Sequence, residues 1–136
     1  MYLLIIMAIT TGARRSELTH LKWSDIDFEK CVARLEKTKN GDPRILPLPL
    51  IAITELKKFR EIGSGYVFPS RKKDVPFHFQ KHWIRTMKKS GLENFRFHDL
   101  RHSCASYLAM NGCSLVEITE VQGKKENVGA ELGCLL

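Results

Sequence analysis

The sequence predicts a mainly α domain with one small antiparallel β-hairpin or sheet, an α+β fold. Three observations carry this. Apolar residues recur at helical spacing in separate segments from Tyr2 to Val121. Asn40-Gly41 stands between two short arms that each hold apolar residues, a strong hairpin-turn signal. Glycines at 12, 91 and 112 fall where the helical patterns stop, as helix-ending residues do.

Tyr2 to Thr10 is apolar throughout and predicts a helix buried on most sides and broken at Gly12. Arg14 to Leu21 predicts a short second helix, with Leu18 and Leu21 on one face. Lys22 to Asp27 ("KWSDID") is turn chemistry. The hairpin follows, with Val32 and Leu35 in its first arm and Ile45 and Leu46 in its second, which Pro47 and Pro49 close. A helix from about Leu50 to Ile62 presents Ile53, Leu56 and Phe59. Gly63 to Pro69 is a loop, with Lys72 and Lys73 on its exposed continuation. Phe79 to Ser90 is a helix carrying Phe79, Trp83 and Met87 at i, i+4 and i+8, with Gly91 as its C-cap. Asp99 to Met110 is another, with Leu100, Cys104 and Leu108 toward the core. Leu115, Ile118 and Val121 continue the period to Gly123. Beyond it "KKENVGAELGCLL" has neither period, so residues 1–123 form the expected domain and 124–136 a divergent tail.

At 136 residues the chain has the size of one domain that can bury a core. Its 43% hydrophobic and 27% charged content excludes wholesale disorder. The net charge of +7, from 22 Lys and Arg against 15 Asp and Glu, favours a polyanionic partner such as nucleic acid. Cys31, Cys104, Cys113 and Cys134 include no CxxC pair, which fits reduced thiols better than a zinc knuckle or a disulfide framework. The opening apolar run falls short of the ~18 residues of a membrane span and lacks the basic flank of a signal peptide. An apolar helix at Met1 is an unusual way to begin a domain, and further elements ahead of it are expected to be missing.

Three basic clusters fall at special places. Arg14-Arg15 follow a Thr-Gly break and open a helix. Lys37 and Lys39 flank the hairpin turn. His98 and Arg101 open another helix, three residues apart. Helix starts attract phosphate through unpaired N–H groups, and arginine adds a bidentate fork. Each cluster alone also reads as ordinary solvated charge. His98 and His102 are four apart, as a helical metal pair would be, but nothing nearby resembles HExxH and Asp99 supplies no third ligand, so no metal is expected.

Taken in order, "TGARRSELTHLKWSDID", "TKNGDPRILPL" and "HDLRHSCASYLAMNG" resemble the three successive motifs of the tyrosine recombinases, the phage-integrase family of DNA strand-exchange enzymes. The resemblance covers roughly residues 3–123 and implies a tyrosine-recombinase catalytic-domain fold. It implies that Arg14 is the first catalytic arginine, Glu17 the acidic residue supporting it, Lys39 the catalytic lysine, and His98 and Arg101 the histidine and second arginine. His102 takes a supporting role. The family attacks a DNA phosphodiester with a tyrosine, leaving a 3′-phosphotyrosyl link and a free 5′-hydroxyl. It needs no metal or other cofactor, because arginines supply the positive charge. Double-stranded DNA and other recombinase protomers are the implied partners, the membrane is not, and the implied location is the cytoplasm, at a prokaryotic nucleoid.

The sequence departs from the family at two places. Lys124 stands where a histidine or tryptophan follows the glycine at 123, and no tyrosine follows it; Tyr2, Tyr66 and Tyr107 are the only three. Tyr107 lies inside the HxxR helix, where its ring is expected to pack or snorkel. Cys134 lies near the expected nucleophile position, with no flanking base to activate it. The tail thus reads as a frameshifted or degenerate remnant, or the nucleophile comes from a neighbouring protomer. A phage-type site-specific recombinase domain that does not cleave as this chain is the reading these features support. The alternatives are a non-catalytic DNA-binding remnant or regulator of an intact recombinase, and an unrelated basic protein.

Overall fold

The computed structural model describes residues 1–36, 41–60, 65–70, 72, 75 and 77–122. Six helices are described: α1 (Tyr2–Thr11), α2 (Arg15–Thr19), α3 (Leu50–Phe59), α4 (Gln80–Ser90), α5 (Phe97–Met110) and α6 (Leu115–Gln122). A single 3-10 turn covers Trp23–Asp25, and three strands, β1 (Ile26–Asp27), β2 (Val32–Leu35) and β3 (Arg44–Pro47), make one antiparallel sheet in the order β1-β2-β3.

Leu3, Leu4, Met7, Ala8 and Thr11 form the buried stripe of α1, which packs against α5 and α3. The helix is buried on most sides, as expected: only Tyr2 and Ile9, on one narrow flank, are exposed. Leu4, Met7, Leu18, Leu21, Leu46 and Leu56 are fully enclosed, so α1, α2, the sheet and α3 share a single core. Trp83 is the one buried residue of α4, and Phe97 meets it edge-on with ring centroids 5.4 Å apart.

The sheet is wider than the hairpin read from the sequence. Ile26 and Asp27, assigned to turn chemistry, pair with Ala33 and Val32. The Asp27 carboxylate accepts the N–H groups of Glu29 and Lys30 and so turns the chain back into β2. The core face carries Ile26, Ala33, Leu35 and Leu46, while Ile45 points outward and is exposed. Pro47 pairs with Val32 on the outer edge of the sheet, where a missing N–H costs no ladder bond.

Four turns start alike: an acidic side chain three residues on accepts the N–H at the start. Glu17 does so for Arg14 at 2.8 Å, Asp25 for Lys22 at 3.0 Å, Asp99 for Arg96 at 2.7 Å and Glu117 for Ser114 at 2.7 Å. This moves two expected boundaries. Arg14 precedes α2 with extended backbone instead of belonging to the helix. α5 begins at Phe97, two residues before Asp99, which places His98 inside the first turn. Elsewhere, α3 ends at Phe59, which is half exposed, α4 begins at Gln80, and Tyr66, expected in a loop, bridges to Lys22. The predicted hairpin tip, Lys37 to Asn40, lies outside the described residues, as do Gly123, Lys124 and the rest of the tail.

Candidate functional site

α1 ends at Gly12, whose φ of +67° lets its N–H reach back to the Ala8 carbonyl. The chain then passes through Ala13 to Arg14 at the mouth of α2. There Glu17 is 4% exposed and accepts four hydrogen bonds from two arginines. Its Oε2 takes the Arg14 backbone N–H (2.8 Å) and Arg44 Nη2 (2.8 Å). Its Oε1 takes Arg14 Nη1 (3.3 Å) and Arg44 Nε (3.2 Å). Burial by itself pushes the Glu17 carboxyl up. The Arg44 hydrogen bond, the Arg14 N–H and the two guanidinium charges outweigh that and hold it below the ordinary carboxylate value. Glu17 is thus an anion locked between two cations.

The network continues through the end of α6. Arg44 Nη1 donates to the Val121 carbonyl at 2.8 Å, and Arg101 Nη2 donates to the next one, Gln122, at 2.7 Å. Arg101 Nη1 returns to the Gly12 carbonyl at 2.9 Å, and Gln122 Nε2 donates to the Arg101 carbonyl at 3.1 Å. Two guanidinium groups therefore cap the carbonyl end of α6, the pole of the helix that favours cations. The links close a circuit: Gly12, Arg101, α6, Arg44, Glu17 and back to Arg14.

Arg14 and His98 line one groove of about 600 Å³. Arg15 and Arg96 line it too, the guanidinium of Arg15 lying 4.7 Å from the Phe79 ring centroid, and no carboxylate does. The groove suits an anion with several oxygens, because arginines and an exposed imidazole line it, although Arg14 also pairs with Glu17 and Arg96 with Asp99 at 3.7 Å. Arg101 is placed differently. It is 2% exposed, beneath the surface, with its fork on backbone carbonyls. His102 sits one turn behind His98, the two rings edge-to-face at 4.9 Å. Among the described residues no group of three or more His, Cys, Asp or Glu could hold a metal ion. Lys39 and Lys124 lie outside the described residues.

Of the two expectations for Tyr107, packing is not met: its side chain is 66% exposed. Nine residues of helix separate it from His98, about 13 Å along the axis. The reading of the sequence also missed Arg44 and Gln122. Arg44 carried a signal, since it shares the period-two inward register of Leu46 and Leu48. A charged residue on the core face of a strand requires a buried partner of opposite charge.

A helical domain with a small three-stranded antiparallel sheet has the fold of tyrosine-recombinase catalytic domains. The family model described as "Phage integrase family" matches residues 1–127, and the chain belongs to that family. It is 32% identical over 133 residues to the integrase of Salmonella phage P22, covering 85% of this chain and 34% of that protein. Its fold matches the crystal structure of XerA recombinase with a TM-score of 0.79 at 25% identity, over 96% of this chain and 50% of that one. It also matches the fold of the Tn1549 transposon integrase in complex with a circular intermediate DNA, with a TM-score of 0.78 at 18% identity, over 97% and 52%. The chain therefore spans between about a third and a half of these relatives' lengths. It resembles the catalytic domain of integrases and site-specific tyrosine recombinases. Among the described residues no helix is long and apolar enough to cross a membrane.

Proposed function

We propose that this chain is the phosphate-gripping part of a tyrosine-recombinase catalytic domain, that it binds double-stranded DNA, and that as this chain it does not cleave it. The observation that carries the reading is the groove in which Arg14 and His98 meet, backed by Glu17. Arg14 neutralises a nonbridging oxygen of the scissile phosphate, and His98 orients or deprotonates an incoming tyrosine hydroxyl. Lys39 protonates the departing 5′-oxygen. Arg101 is the second clamp, a role that requires its fork to exchange a carbonyl partner for a phosphate oxygen. His102 supports His98. Lys124 occupies the position of the family histidine or tryptophan, in the divergent segment 124–136. DNA as the partner is supported by the DNA-bound state of the Tn1549 integrase, and a cytoplasmic, nucleoid-associated location is the reading that fits such a partner.

The chain's three tyrosines support the absence of cleavage. Tyr107 is too far along α5, and Tyr2 and Tyr66 lie against other surfaces, lining a separate apolar groove with Trp23 and Phe77. A nicked suicide-substrate duplex that traps covalent intermediates tests this. The expected result is bound DNA with no adduct, and binding about tenfold weaker in Arg14→Ala than in wild type. A 3′-phosphotyrosyl adduct refutes the proposed lack of cleavage. Unchanged affinity in Arg14→Ala refutes the groove as the phosphate site. Adduct formation only after mixing with a tyrosine-bearing homologue shows a nucleophile supplied by another protomer.

A further inference from the structure

We infer that Arg44 is a positioning residue of the DNA site, acting through Glu17 on Arg14 rather than on DNA. The inference rests on the proposed phosphate-binding role of Arg14. Arg44 is largely buried, with 13% of its side chain exposed, and is absent from the groove lining. Its fork spends two nitrogens on the two oxygens of Glu17 and the third on the Val121 carbonyl. All three assignments face inward.

The geometry explains why such a residue is needed. Arg14 lies two residues after Gly12, with its left-handed backbone, and precedes a helix of five residues, so the helix alone fixes it weakly. Its N–H and one side-chain nitrogen are held by Glu17, while its carbonyl accepts the Leu18 N–H at 3.1 Å. A carboxylate with one cationic partner can rotate, whereas one gripped side-on by Nε and Nη2 of Arg44 has its plane set. Setting that plane sets where Arg14 presents its remaining donors. The Val121 link adds a second consequence. Arg44 belongs to the strand that leaves the hairpin tip, so one guanidinium ties that arm, the Arg14 turn and the end of α6 to a common origin. A lysine in the same place has one nitrogen and cannot bridge both Glu17 oxygens and the carbonyl together.

Duplex binding measured across a series of salt concentrations tests this, with wild type, Arg14→Ala, Arg44→Gln, Arg44→Lys and the Arg14→Ala/Arg44→Gln double variant. If Arg44 acts through Arg14, Arg44→Gln weakens binding about tenfold and lowers the slope of log affinity against log salt by about one phosphate equivalent, as Arg14→Ala does. The double variant then binds no more weakly than Arg14→Ala alone. Losses that multiply in the double variant, or an unchanged salt slope in Arg44→Gln, overturn the inference and leave Arg44 a merely structural partner. Circular dichroism checks that the variants fold. If Arg44→Gln does not, Arg44→Lys decides, since it retains the charge: a lowered slope supports positioning, and wild-type slope and affinity refute it. Failure of the underlying reading looks different, because Arg14→Ala itself then leaves binding unchanged.

Discussion

Glu17→Gln is the most informative single change, because it preserves shape while removing the charge and one acceptor oxygen. The carboxylate side chain is 1% exposed and satisfies four donors from Arg14 and Arg44. With glutamine, one oxygen becomes an NH2 group facing guanidinium donors, and two arginines are left near each other without their counter-charge. Removing one partner of a buried ion pair costs about 3–5 kcal/mol. That is a large share of the roughly 5–15 kcal/mol that holds a domain of this size. At a urea m-value of about 2 kcal/mol/M, the midpoint of unfolding should fall by about 1.5–2.5 M. Fluorescence of Trp23 and Trp83 with far-ultraviolet circular dichroism would follow it. Acid supplies an internal control. The Glu17 carboxyl is held below its ordinary value of 4.5, so its stabilising contribution is complete above that pH and is lost as pH falls through the lower folded-state value. Glutamine cannot titrate, so the gap between wild type and variant should narrow below pH 4.5. A midpoint shift under about 0.5 M at neutral pH, or a gap that persists in acid, would refute a buried ion pair at this position.

Two further outcomes follow from the same region. Gly12→Ala places a Cβ 3.3 Å from Cys104 Sγ at a φ of +67°; it should destabilise the protein by about 1–3 kcal/mol in the same urea assay, and wild-type stability would contradict the backbone described at the end of α1. Cys104 is 3% exposed, and burial pushes its thiol pKa up, against the opposing charge of Arg101. Iodoacetamide with peptide mapping should therefore label it far more slowly in the native protein than in urea, and equal rates would contradict its burial.

The helices were legible where the signal is local. Gly91 ends α4 with a φ of +71°, and Trp83 faces the core as the i, i+4 pattern requires. The errors lie where a partner distant in sequence decides. Val32 and Ile45 looked like the apolar content of the hairpin, but the core face belongs to Ala33, Leu35 and Leu46, because the pairing of Leu35 with Arg44 fixes the register. Ile26 and Asp27 became a strand only because β2 offered them a free edge. Boundaries shifted for one reason: the carboxylates of Glu17 and Asp99, each at the third position of its helix, cap Arg14 and Arg96 and so set the first helical residues at Arg15 and Phe97.

The site divides in the same way. Arg14 and His98 are legible because their motifs are short. The circuit behind them joins residues up to 89 positions apart in Gly12 and Arg101, and no local pattern reports that. The circuit also has a charge consequence. Among the described residues, Arg14 and Arg44 bring two positive charges against the carboxylate of Glu17, and Arg101 lies buried in the same circuit. The carbonyls of Gly12, Val121 and Gln122 absorb part of the difference at Arg44 and Arg101, both of which are turned inward. Arg14 is the member of the circuit that also lines the groove, so the remaining positive potential emerges there, beside His98. An anion entering the groove meets a cation whose position is already fixed and whose counter-ion is already committed. A preorganised donor of this kind acts on developing phosphate charge without reorganising at the moment of reaction. If the groove takes a phosphate as proposed, Glu17 and Arg44 act on it by fixing Arg14 rather than by touching it.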